Sequence, residues 1–199
     1  MRRPLDAAAP ARYILLALLL DGPRHGYALM RDVDPAMPLG KVIHLASSHL
    51  YAQLIRLEHD GLVHKKNEDG GPRPARHVFT LTEQGRETVL RWAEETVAKP
   101  RDMHIDFPLK LYVSWKLDPA QATALVARQR AVFTTYIERL ERSISTASRS
   151  SAPSSSTALF SALVDDARLE RARAAVLWLD HCRQTLTAAP AAWVEETMS

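Results

Sequence analysis

Between Ser47 and Gly85 the chain gathers residues able to hold a polyanion. Ser47, Ser48, His49 and Tyr51 stand at the start of a helix-like run. Lys65, Lys66, Arg73 and Arg76 flank the turn Gly70-Gly71-Pro72 that follows. Small side chains at a helix N-terminus leave its N–H groups approachable, and that end carries partial positive charge suited to a phosphate. His49 and Tyr51 can donate to phosphates or base edges. Lysine and arginine on a hairpin contact the nucleic-acid backbone or minor groove, which sets affinity and salt dependence without specifying sequence.

These residues must be positioned by the elements around them. Arg12–Leu20 reads as a short apolar helix stopped by Asp21-Gly22-Pro23, and His25–Val33 as a second, ended by Pro35 and Pro38. Residues 41–46 fit either a strand or an extended linker. Ser47 or Ser48 is the expected N-cap of a third helix. There Leu50, Leu54 and Leu57 form a core-facing stripe, with Ser48, Ala52, Arg56 and His59 opposite. Gly61 is a helix stop. Residues 62–66 and 77–82 read as strands joined by a long turn. Thr82 can cap a further helix with Val89, Leu90, Ala93 and Val97 on its apolar face. The order helix, helix, helix, strand, wing, strand is that of a winged helix-turn-helix, whose third helix enters the major groove.

Beyond Lys99-Pro100 only helices are expected. Residues 107–117 are one apolar helical stretch. Asp118, Pro119 and Gln121 open another helix, with Val126, Phe133 and Leu140 seven apart and Ile137 and Ile144 likewise, a spacing that favours a seam against a partner helix. Residues 143–157 are rich in serine and threonine and read as a mobile loop. A last helix over 158–187 carries Leu169, Ala172, Val176, Leu179 and Leu186. Residues 1–11, rich in proline and alanine, read as disordered. The expected fold class is mostly α with a small β-wing: a winged helix-turn-helix over residues 12–100 and an antiparallel helical dimerisation domain over 101–199.

With 199 residues the chain is long enough for one core or two small units. Its net charge is +3. Lys plus Arg against Asp plus Glu is 14 to 12 over residues 1–100 and 12 to 11 beyond, so any basic signal is local. The longest apolar run, Tyr13–Leu20, is too short to span a membrane, and no small-residue cleavage site follows it. A cytoplasmic protein is expected.

Catalytic and metal readings find little support. No phosphate-binding glycine loop, His-Glu-x-x-His or nucleophile elbow is present. Asp165-Asp166 and Glu94-Glu95 read as solvated helix charges. His44, His49, His59 and His64 lack a thiolate or carboxylate at ligand spacing, so no metal and no cofactor is expected. The single cysteine, Cys182, reads as a small buried hydrophobe.

HGYALMRDV at 25–33, LYAQLIRLEHDGLV at 50–63 and FTLTEQGRE at 79–87 together resemble the PadR family of bacterial transcriptional regulators. The resemblance covers residues 12–100; residues 104–188 are similar to the family's helical dimerisation domain more loosely. It implies a homodimer, usually a repressor, on an inverted-repeat operator in double-stranded DNA, released by a small aromatic or amphipathic effector. On this reading Tyr27, Ser47, Ser48, His49, Tyr51, Arg56, Lys65, Lys66, Arg73 and Arg76 bind DNA. Phe107, Tyr112, Trp115, Phe133, Tyr136 and Trp178 are candidates for an effector site between the domains. Two positions depart from the family's pattern: His49 stands where many members have glycine, and Phe79 where a tyrosine is usual. The alternatives are a MarR-like regulator of different dimer geometry and a winged-helix adaptor that binds protein instead of DNA.

Overall fold

The computed structural model describes residues 10–68, 76–150 and 155–188. The chain divides into two compact units. One takes in the chain up to Glu95 together with Pro108–Val113; the other comprises Thr96–Phe107 and the chain from Ser114 onward. The disorder expected at the N-terminus concerns residues that, but for the last two, lie outside those described.

In the first unit α1 (Pro10–Leu18) is followed by β1 (Arg24–His25), α2 (Gly26–Asp32), a 3-10 turn at Leu39–Lys41, α3 (Ser47–His59), β2 (Val63–Glu68), β3 (Arg76–Leu81) and α4 (Glu83–Glu94). The sheet is antiparallel in the order β1-β3-β2, with Lys65 opposite Phe79 and Lys66 opposite Val78. β1 escaped the sequence reading because two residues carry no alternation to detect. Residues 41–46 form neither a strand nor a uniform linker: the 3-10 turn takes Lys41, and the rest runs without regular structure into α3.

Leu50, Leu54 and Leu57 are fully buried, as their spacing requires, against Ile14, Leu15, Leu29 and Phe79. Burying each such side chain contributes about 1.5–3 kcal/mol. The predicted Ser cap is not formed. Ala46 is the N-cap and makes no side-chain cap, and Ser47 and Ser48 occupy the first turn as exposed residues. The C-terminus closes as foreseen. Gly61 adopts φ +71°, its N–H donates to the Glu58 carbonyl, and the Leu62 N–H reaches back to the Leu57 carbonyl. This is a Schellman closure, which needs a left-handed residue and so favours glycine.

Thr82 joins that closure to the next helix. Its hydroxyl donates to the Gly61 carbonyl at 2.9 Å and accepts from the Gly85 N–H at 3.0 Å. One side chain thus caps α4 and fixes where β3 leaves the wing. α4 ends at Glu94, so Val97 is not on its face. Val97 is nevertheless buried, in the second unit, where its N–H and C=O are both taken by the Gln129 amide at 2.7 and 2.8 Å.

The second unit is helical: a 3-10 turn (Pro100–His104), the ends of α5 (Asp106–Leu117), α6 (Pro119–Ser150) and α7 (Ser156–Ala188). Proline at the first position and Asp118, whose carboxylate accepts from the Ala120 N–H at 2.8 Å, start α6. α6 and α7 run antiparallel, since Arg130 pairs with Asp180 while Glu141, further along α6, pairs with the earlier Arg173. Val126, Phe133 and Leu140 are buried, as are Leu169, Ala172 and Leu179, with α6 and α7 packed on each other. The seven-residue spacing therefore serves a seam within the chain. The serine-rich segment is a loop only in part: residues 143–150 continue α6 and α7 begins at Ser156, while 151–154 lie outside the described residues. Serine costs a helix little, and the amphipathic seam carries it through.

Candidate nucleic-acid interface

At the start of α3, Ser47, Ser48 and His49 are all exposed, and the N-cap residue, Ala46, has no side chain able to cap their backbone donors. Two serines and no bulky apolar group allow close approach by a groove or a phosphate. Arg56, two turns on, is exposed too, and no acid among the described residues pairs with it. Arg12 instead takes Asp60, just past the helix, in an ion pair. The Arg12 guanidinium holds the Asp60 carboxyl below the ordinary carboxylate range, opposed by its partial burial.

Tyr27 and Tyr51 divide their roles. Tyr27 is 58 % exposed and stacks on His25 with ring centroids 5.4 Å apart. Tyr51 is half-buried, packs on the first core and lies beneath Gly26. A Cβ at Gly26 would stand 2.7 Å from both Cε1 and the hydroxyl of Tyr51, so the backbone of α2 comes closer to α3 than any larger residue permits. The ion pair Arg24–Asp32, at 2.8 Å, ties β1 to the end of α2.

On the wing, His64, Lys65 and Lys66 are exposed along β2, and among the described residues neither lysine has an acidic partner. His77 Nδ1 and the Asn67 side-chain oxygen lie 2.8 Å apart across the two strands, which ties the outer half of the hairpin together. Arg76 opens β3; Arg73 lies outside the described residues. Sequence reasoning missed Gln53. It is buried on α3, and its amide nitrogen lies 2.9 Å from His49 Nε2. The i, i+4 spacing from His49 was the available signal.

The six aromatic candidates for an effector site are divided between the units. Tyr112 lies in the first, half-buried against its core, where burial, then the carboxylates of Asp32 and Asp21, push its phenol above the ordinary value. In the second, Phe107 meets Trp178 edge to face at 5.9 Å and Phe133 meets Tyr136 at 6.2 Å. Phe107 and Phe133 are fully buried, Trp178 is 38 % exposed and Trp115 half-buried. A polar groove on α6, lined by Glu138, Glu141, Arg142, Ser145 and Thr146, holds none of the six. Cys182 is 8 % exposed, and burial pushes its thiol up to about 11. Among the described residues no helix is long and apolar enough to cross a membrane.

Three helices, a three-stranded antiparallel sheet with a basic wing, and a solvent-facing helix N-terminus define a winged helix-turn-helix. Residues 15–91 match the Transcriptional regulator PadR-like family and residues 103–187 match the Virulence activator alpha C-term model. Residues 15–91 thus carry the pattern of the PadR-like family of transcriptional regulators. Among curated proteins none matches it. Similar solved structures include Bacillus subtilis PadR in complex with operator DNA, at 24 % identity over 91 % of this chain and 99 % of that one, TM-score 0.45. The same protein in complex with p-coumaric acid is 24 % identical over 93 % and 99 %, TM-score 0.39. The PadR-like regulator BC1756 from Bacillus cereus is 18 % identical over 91 % and 98 %, TM-score 0.40.

Proposed function

We propose that the chain is a cytoplasmic homodimeric repressor that holds an inverted-repeat operator with α3 in the major groove and the β2–β3 wing on the backbone. A small aromatic or amphipathic molecule releases it. Residues 12–100 act as the DNA-binding domain and residues 101–199 as the dimerisation and effector-response domain. The observation that carries this reading is the exposed, uncapped start of α3 at Ser47, Ser48 and His49, in the same unit as the exposed lysines of β2. Such an end supplies N–H donors and partial positive charge, and the wing supplies the salt-dependent contacts.

Dimerisation is supported by apolar surface on α7. Leu159 is 54 %, Phe160 68 % and Leu163 59 % exposed, within one turn on one helix. A contiguous apolar stripe of this kind is uncommon on a monomer, and a second copy covers it in a closed two-fold assembly. Of the six aromatics, Phe107 and Phe133 are fully buried, while Tyr112, Trp115, Tyr136 and Trp178 keep some surface.

Charge reversal of Lys65, Lys66, Arg73 and Arg76 tests the DNA assignment. The expected result is weaker binding to every duplex. The slope of log affinity against log salt should fall by about one for each phosphate that is no longer neutralised. Unchanged binding overturns the assignment.

A further inference from the structure

We infer that Gln53 presets the imidazole of His49 as a base-reading donor, so that His49 selects a guanine in the operator. The inference rests on α3 being the helix offered to the major groove. His49 is exposed in the first turn of α3; Gln53, one turn later, is 5 % exposed. The Gln53 amide nitrogen lies 2.9 Å from His49 Nε2. With the Gln53 amide turned so that its nitrogen faces the ring, that nitrogen donates, Nε2 accepts, and the proton of the neutral ring sits on Nδ1; the reverse amide orientation would put it on Nε2. With Nε2 engaged on the protein, Nδ1–H is what the ring has left to offer a ligand.

A second observation makes this more than a surface contact. Among the described residues the Gln53 side-chain oxygen is buried without a hydrogen-bond partner. An orphaned buried amide oxygen is costly, and such a group calls for an explanation. Leu50, Leu54 and Leu57 fill the neighbouring buried positions of α3 without that cost. Orienting His49 is what Gln53 does that a leucine cannot.

The chemistry fixes the preference. In the major groove guanine presents two adjacent acceptors, N7 and O6, whereas cytosine presents the N4 amino donor. A fixed Nδ1–H donates to N7 or O6 of guanine and is opposed by the N4 amino donor of cytosine; on adenine the one acceptor, N7, sits beside an amino donor. Gln53 is the positioning residue and His49 the reading one.

The test uses the full-length protein in two measurements. Long-range proton–nitrogen NMR of the wild type should show His49 protonated on Nδ1, with Gln53→Leu shifting the ring toward Nε2–H. A proton on Nε2 in the wild type overturns the inference without any DNA. Binding is then measured on operators substituted at each base pair. One position per half-site should favour guanine over cytosine about five- to tenfold, on the scale of one hydrogen bond. His49→Ala should abolish that preference and Gln53→Leu reduce it, with the double variant no worse than His49→Ala. A Gln53→Leu loss equal at all positions means a merely structural role and overturns the inference while leaving the DNA-binding reading intact. Absence of any sequence-selective binding by the wild type overturns both.

Discussion

Gly26 and Tyr51 fit together without room for a methyl group: a Cβ on Gly26 would lie 2.7 Å from the Tyr51 hydroxyl. The contact joins the first residue of α2 to the fifth of α3. It sets how the ring of Tyr51 stands at the edge of the surface that carries Ser47, Ser48 and His49.

Gly26→Ala should therefore act on DNA binding more than on folding. The ring must rotate or α2 must lift, at a cost of about 1 kcal/mol, while alanine favours the helix slightly over glycine. The expected outcome is a melting point lowered by no more than about 4 °C with operator affinity reduced about tenfold. Calorimetry and fluorescence anisotropy on the same preparation separate the two effects.

Asp60 makes stability depend on pH in a definite direction. Its carboxyl sits below its ordinary value of 3.8, chiefly through the hydrogen bond from Arg12. A depressed folded value means stabilisation that is complete above the unfolded value and is lost as pH falls through the folded one. Asp60→Asn should be less stable than the wild type at pH 7, by about 1 kcal/mol or less because Asp60 is 40 % exposed. The difference should shrink below about pH 4. Urea titrations at pH 7 and pH 3.5 check it.

Gln129→Leu should be costly. The amide satisfies both the N–H and the C=O of Val97, and Gln129 itself is fully buried. Leucine leaves two buried backbone groups without partners, each worth about 1–3 kcal/mol. Chemical denaturation should show a midpoint shift well outside that of ordinary surface substitutions.

Leu163→Glu or Phe160→Glu should weaken self-association. Either puts a carboxylate into an apolar stripe that is 59 % and 68 % exposed at these positions, so the single chain should keep its helicity. Sedimentation velocity should show the dimer–monomer balance moving toward monomer by at least about tenfold, the scale of one desolvated polar group. An unchanged balance removes this stripe from the dimer interface.

Much of the first unit was legible because its signals are local. The leucine spacing of α3, the left-handed Gly61 and the Thr82 cap each follow from near neighbours in sequence, and each is found. The misses turn on where a helix begins or ends, or on a partner far along the chain. Ser47 and Ser48 have the right chemistry for a cap, but the chain enters the helix one residue earlier, at Ala46. Val97 continues the periodicity of α4 but is held by Gln129, 32 residues away. The serine-rich segment has a loop's composition, yet α6 runs on to Ser150. On the candidate interface the exposed polar residues were readable one by one. The Gln53–His49 contact needed the geometry, since a glutamine in a leucine-lined helix carries no sign of which way its amide turns.

Whether the purified chain selects a DNA site is the most direct test of the proposed function. Genomic fragments should be captured against excess competitor, the best one footprinted, and its affinity titrated with salt. The expected result is one inverted-repeat site, with half-sites about one helical turn, roughly 34 Å, apart and affinity falling steeply with salt. Capture of no fragment above competitor, or a footprint without two-fold symmetry, would contradict a homodimeric operator-binding regulator.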